Sequence, residues 1–125
     1  MSVNIPVAVG ELFDKITILR IKSERLTDVG KHANVADELR ALEEVASAIA
    51  VTPELLALID ELQSVNAGLW DVEDLKRAHE REGRFDAAFI ALARRVYLEN
   101  DHRAAIKRRI NILTGSGIVE EKSHV

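Results

Sequence analysis

The last long periodic stretch of this chain changes character along one face. From Phe85 to Val96 the residues at helical spacing are Phe85, Phe89, Leu92, Ala93 and Val96, all apolar. One turn on, the same face reads Asn100, Arg103, Lys107 and Asn111. A helix that keeps its period while exchanging apolar side chains for amides and cations still faces something. That something is a polar network inside the fold, a second subunit or an anionic ligand.

The rest of the chain supplies helices for this one to pack on. Helix one is expected from about Gly10 to Leu26, with Leu12, Ile16, Leu19 and Leu26 on one face and Val9 and Phe13 beside them. Ile18 and Ile21 point almost the opposite way. A helix with two apolar faces is sandwiched, by its own chain or by a second copy. Asp28 and Gly30 mark a turn. Helix two is expected from about Asn34 to Ala50, with a stripe of Val35, Leu39, Leu42, Ala46 and Ile49 and a solvated back of Asp37, Glu38, Arg40, Glu43 and Glu44.

Thr52-Pro53 is a start signal, a hydroxyl cap followed by proline at the first helical position. Helix three then runs to about Glu80 on Leu55, Leu58, Ile59, Leu62, Val65 and Leu69. Asn66 and Glu73 fall inside that stripe, Trp70 lies on its edge, and Gly83 breaks the chain. Helix four spans about Phe85 to Leu113, roughly 40 Å at 1.5 Å per residue. Asn100-Asp101 offers a break within it, with Asp101 as a fresh cap. Gly115-Ser116-Gly117 ends the helical part. Ile118 and Val119 in the tail are expected to tuck back onto the bundle. No strand pattern of useful length and no repeat is present. The chain reads as a single all-α domain over 1–125, a bundle of about four helices with a long last helix and a short C-terminal tail.

Composition narrows the function classes. With 4% aromatic residues the core must be mostly Leu, Ile, Val and Ala. The absence of cysteine removes disulfides, thiolate metal sites and cysteine nucleophiles. No apolar run approaches the ~18 residues that span a bilayer, and no secretory leader is visible, so a cytoplasmic protein without membrane contact is expected. A net charge of −4 argues against nucleic-acid binding. The charge is uneven. Glu54 to Glu80 holds seven acids against two bases, while Arg94 to Arg109 holds six bases against two acids. Side-by-side packing of an acidic and a basic helix is favoured over a patch for an outside anion.

The candidate site is the polar cluster these stripes imply. Helix three offers Asn66 and Glu73 with Trp70 alongside. Helix four offers Asn100, Arg103, Lys107 and Asn111, and helix one offers Lys15, Arg20 and Ser23 on or beside its stripe. Buried charges must be paired or ligated, because desolvation costs several kcal/mol per ion. Glu73 is the expected partner of Arg103 or Lys107, with the asparagines bridging helix backbones. Alternatively, Arg20, Arg103 and Lys107 set against Glu73 leave two unmatched cations for a phosphate or carboxylate.

Glu99-x-x-His102 has metal-ligand spacing. Its only counterpart is Glu121-x-x-His124 in the tail, and both Glu99 and His102 sit off the core stripe, so no metal or other cofactor is expected. His79 is expected to face solvent at a helix end, and His32 to lie in a loop. Trp70, beside Asp71 and Glu73, has the chemistry to stack on a sugar or base, although a lone tryptophan on a helix edge is more often core.

Four strings carry a resemblance: GELFDKITILRIK (Gly10 to Lys22), LWDVED (Leu69 to Asp74), FIALARRVYLENDHRAAIKRRIN (Phe89 to Asn111) and GSGIVEEKS (Gly115 to Ser123). Together they resemble a family of uncharacterised small bacterial helical proteins, whose segments also occur beside glycosyltransferase or tetratricopeptide-type modules. The resemblance covers nearly the whole chain and is strongest at Glu11, Asp14 and Lys15, at Trp70, Glu73 and Asp74, and at Asn100, Asp101, Arg103, Lys107 and Asn111. It implies a bacterial cytoplasmic protein linked to surface-polysaccharide assembly, and it carries no assigned activity. His124 stands where the family pattern leads one to expect an aromatic residue.

Two functions remain open. The first is a non-enzymatic binding or interaction module, homodimeric, recognising a protein partner or an anionic sugar-linked ligand through Arg20, Arg103, Lys107 and Trp70. The second is a small helical enzyme acting on an anionic metabolite in the manner of helical mutases, with Glu73 as general acid or base.

Overall fold

A computed structural model describes residues 1–122 and contains four helices in that span: α1 (Val9–Arg25), α2 (Val29–Ala46), α3 (Pro53–Glu82) and α4 (Ala87–Thr114). His124, and with it the second Glu-x-x-His spacing, lies outside the described residues. Each helix after the first starts on a side-chain cap. Asp28 accepts the Lys31 amide, Thr52 the Leu55 amide and Asp86 the Phe89 amide. Gly83 and Gly115, both left-handed at φ near +64° and +63°, close α3 and α4. Such a conformation suits glycine because it has no Cβ to clash.

These caps move several expected boundaries. Asp28 opens α2 at Val29, so Gly30 is a helical residue and His32 sits in the first turns of α2, not in a loop. The His32 ring donates from Nε2 to the Ser23 carbonyl at 2.9 Å. Asp86 starts α4 two residues after Phe85, which therefore lies before the helix, exposed, with its ring edge-on to Phe89 at 5.3 Å. No break occurs at Asn100-Asp101; α4 runs unbroken for 28 residues.

The core gathers the apolar stripes of three helices: Leu12, Phe13 and Ile16 of α1, Leu55, Leu58, Ile59, Leu62 and Val65 of α3, and Ile106 and Ile110 of α4. The α2 stripe, Leu39, Leu42 and Ala46, packs against it from outside, as does Ile49 beyond the helix. Helix α1 is central and touches α2, α3 and α4, while α2 lies against α1 alone. The two-faced character of α1 is thus met within one chain, with Ile21 fully covered and Ile18 half-buried.

Helix α1 lacks a side-chain cap of its own, since its N-cap is Ala8. Its first amides are satisfied from the far end of the chain. The Val9 N–H donates to Ser116 Oγ at 3.1 Å and the Gly10 N–H to Asn111 Oδ1 at 2.7 Å. Orphan amides at a helix start need such partners. This docking requires a very close approach. A Cβ on Gly10 would stand 2.5 Å from the Lys107 carbonyl oxygen and 2.9 Å from Asn111 Oδ1.

Gly10→Ala should therefore destabilise the fold by about 1–3 kcal/mol, the usual cost of overpacking. Gly68→Ala, where an added Cβ meets nothing within 4 Å, should stabilise α3 by roughly 0.5–1 kcal/mol through helix propensity. Urea midpoints of the two variants against the parent chain check both signs.

Candidate functional site: a polar seam and an open groove

The polar half of the α4 stripe faces α1. Asp14, only 1% exposed, sits at the centre of the seam. The Arg103 guanidinium grips its carboxylate with two donors, Nε to Oδ1 at 2.8 Å and Nη2 to Oδ2. Asn66 of α3 donates its amide to Asp14 Oδ1 and to Thr17 Oγ1, both at 3.0 Å. The Thr17 hydroxyl donates one turn back to the Asp14 carbonyl at 2.9 Å. Next along α4, Lys107 Nζ bonds Glu11 at 2.7 Å, and stands 3.4 Å from Glu120 and 3.9 Å from Asp14. Every buried side-chain nitrogen and oxygen among the described residues has a partner.

Burial pushes the Asp14 carboxyl up. The Arg103 and Asn66 hydrogen bonds and the positive charges of Arg103 and Lys107 together outweigh it, so Asp14 ionises below the ordinary aspartate value. Bonding to Asp14 in turn holds Arg103 above the usual arginine value, against the opposing effect of its own partial burial.

Helical period and charge found one side of this seam and missed the other, whose Glu11 and Asp14 only the resemblance had singled out. Asn100, Arg103, Lys107, Asn111 and Asn66 do converge, with Asn100 Oδ1 accepting from Arg103 Nη1 at 3.3 Å. The expected counter-charge, Glu73, is absent from it: Glu73 pairs with Lys76 one turn along α3 at 3.3 Å. Arg20 reaches α2 instead, with Glu43 at 3.5 Å, and Lys15 is exposed. The surplus of cations does not exist, because Glu11, Asp14 and Glu120 answer Arg103 and Lys107, and Glu43 answers Arg20. Asp14 lies on α1 beside Phe13 and one turn from Thr17. The signal that could have found it is an aspartate between core residues of a helix with no polar face to spare.

The acidic and basic helices α3 and α4 do pack side by side, yet Arg103, Lys107 and Arg108 of α4 turn to α1 and the tail. The contact that does cross to α3 is His102 Nε2 to Glu61 at 3.0 Å, so the histidine of Glu99-x-x-His102 is occupied there. Among the described residues no three potential metal ligands come together. His79 is buried, contrary to expectation, because Gly83 turns the chain back over it. Its Nδ1 donates to the Arg84 carbonyl at 3.0 Å, and its ring lies 6.0 Å from Phe89. The tail returns along α4 by charge rather than by Ile118 and Val119, which stay partly exposed. Glu121 meets Arg108 at 3.4 Å and Lys122 meets Asp101 at 2.9 Å.

Where the seam opens to solvent, a groove of about 430 Å³ begins. Ile18, Leu69, Val96 and Trp70 give it an apolar side, while Asn66, Asn100, Arg103, Glu73, Asp74 and Arg77 give it polar groups. The Arg25 guanidinium stands 6.0 Å from the Trp70 ring and bonds Asp71, which steadies this wall.

A family model described as a family of unknown function (DUF6165) matches residues 1–125. The chain belongs to this family. No curated protein and no solved structure matches it. The strings by which the family was recognisable bracket the seam: Gly10 to Lys22 holds Gly10, Glu11, Asp14 and Thr17; Phe89 to Asn111 holds Arg103, Lys107 and Asn111; Gly115 to Ser123 holds Ser116 and Glu120. No helix among the described residues is long and apolar enough to cross a membrane.

Removing one partner of a buried pair leaves the other uncompensated. Asp14→Ala should cost about 3 kcal/mol, the low end for such pairs because Arg103 is partly exposed and can rehydrate. The pH dependence has a definite sign. Since folding depresses the Asp14 value, its contribution is complete above the unfolded aspartate value of about 3.9 and is lost as pH falls through the lower folded value. Asp14→Asn should flatten that acid limb in pH-dependent urea titrations.

Proposed function

We propose that this protein is a non-enzymatic binding module of the cytoplasm whose ligand lies in the Trp70 groove. The observation that carries the reading is the division within the polar cluster. Its charges are spent holding α1 to α4, while the groove beside them keeps an aromatic face and both donors and acceptors open to solvent. Arg103 and Asn100 are held by each other and by Asp14, so they present fixed hydrogen-bonding groups. Arg77 and Asp74 add one charge of each sign at the rim.

An apolar ring wall opposite planar polar side chains suits a ligand with one hydrophobic face and several hydroxyls, which is the surface of a sugar ring. This agrees with the polysaccharide link that the resemblance implies. The mutase-like alternative asks for unpaired cations to hold a carboxylate or phosphate and to stabilise developing charge. With Arg20, Arg103 and Lys107 each matched by a carboxylate, that requirement lacks support. Glu73, its general acid or base, is half-exposed and paired with Lys76.

A thermal-shift and calorimetric screen against neutral saccharides, sugar nucleotides, inorganic phosphate and dicarboxylates tests the reading. Sugar-bearing compounds should raise the melting temperature in a concentration-dependent way. Trp70→Ala should abolish the shift while leaving helical circular dichroism unchanged. A shift with phosphate or dicarboxylate alone, retained in Trp70→Ala, would return the case to an anion site elsewhere.

A further inference from the structure

The outward face of α4 carries a second pattern. Ala87, Ala91, Arg94, Leu98, Asp101, Ala105, Arg108 and Ile112 recur at alternating spacings of four and three. That is the spacing of a seam along which one helix packs on another, here with three charged members, Arg94, Asp101 and Arg108. All of these positions are exposed, and so are the flanking Ile90 and Tyr97. Ile90, Tyr97 and Leu98 are 57%, 54% and 52% exposed. The inner face of α4, with Asn100, Arg103 and Ile106, points the other way; the tail meets the stripe at Asp101 and Arg108 through Lys122 and Glu121, and its N-terminal half, from Ala87 to Leu98, stays exposed.

We propose that this stripe is the contact between two copies of the chain, with their α4 helices antiparallel about a twofold axis passing between Tyr97 and Leu98. The charges select this occupant. Arg94 and Asp101 lie equally far from that axis on opposite sides. Each Arg94 therefore falls opposite Asp101 of the second copy, and the pairing is repeated by symmetry. Arg94 has no carboxylate partner among the described residues, only the Tyr97 hydroxyl at 3.4 Å. Asp101 takes Lys122 at 2.9 Å, and a carboxylate has room for a second donor. Between the two ion pairs, Leu98 and Tyr97 of the two copies meet. Beyond them, Ile90 falls opposite Ala105, where a small residue admits a large one. A parallel arrangement would instead set Arg94 against Arg94 and Asp101 against Asp101, which is repulsive.

The contact uses the face of α4 away from the Trp70 groove and does not depend on the ligand reading. It has a charge-swap test by sedimentation equilibrium at micromolar concentration. The parent chain should be a dimer. Leu98→Asp, Arg94→Asp and Asp101→Arg should each be monomeric with unchanged helical circular dichroism. The double variant R94D/D101R should recover the dimer, because the swapped pair is again complementary. Leu98→Cys in this cysteine-free chain should cross-link to itself under mild oxidation, whereas a cysteine replacing exposed Ser64 on α3 should not. A monomeric parent, a dimer indifferent to Leu98→Asp, or a charge swap that fails to restore association would each overturn the proposal.

Discussion

The buried carboxylate of Asp14 sets the terms for the whole molecule. An ion taken out of water costs several kcal/mol unless it is paired and hydrogen-bonded. Here the compensation comes from two other helices, Arg103 on α4 and Asn66 on α3. Apolar stripes alone would tolerate α1 sliding against α4, since dispersion and the hydrophobic effect are weakly directional. The seam does not. A one-turn slide would separate Glu11 from Lys107, Asp14 from Arg103 and Gly10 from Asn111 together. Register is thus held by geometry, while most of the stability comes from the core around Ile16, Leu62 and Ile110.

The same seam explains why the chain is arranged with α1 in the middle. Its start has no cap and borrows one from Asn111 and Ser116, at the opposite end of the sequence. Glycine at position 10 permits the contact, because any side chain there would meet the α4 backbone. Once α1 is fastened to the C-terminal half of α4, the longer α3–α4 hairpin runs on past it. The buried residues of α4, Ile106, Ile110 and Asn111, all lie in the half that α1 covers. The Phe89, Leu92, Ala93 and Val96 stripe, apolar by sequence, is only half-covered. The groove beside Trp70 opens just past the seam, with Ile18 of α1 on one side and residues of the α3–α4 hairpin on the other.

Much of this is legible in the sequence. The stripes of α2 and α3, the Thr52-Pro53 start and the stops at Gly83 and Gly115 are local signals that obey helix geometry. The polar half of α4 was legible as a set, since Asn100, Arg103, Lys107 and Asn111 share one face by period alone. Their partners were not. Glu73 shares a stripe with core residues, but it is half-exposed and pairs with Lys76 one turn along its own helix. Lys15 and Arg20 have the right charge yet sit on α1 faces turned away from α4. His79 was read as exposed because it ends a helix, and the left-handed turn at Gly83 buried it.

The sequence by itself determined four helices, most of their inward stripes, the Thr52 cap, the glycine stops and the presence of a cationic, amide-rich face that needed a partner. Each follows from residue spacing and local hydrogen bonding within a few turns of chain. Only the tertiary structure decided which carboxylate answers which cation, that α1 takes its cap from Asn111, and that the cluster is closed while the Trp70 groove is open. Those outcomes depend on where helices separated by up to about a hundred residues come to rest. The periodicity of one helix specifies which face turns inward, and it carries no information about what the opposing helix places there.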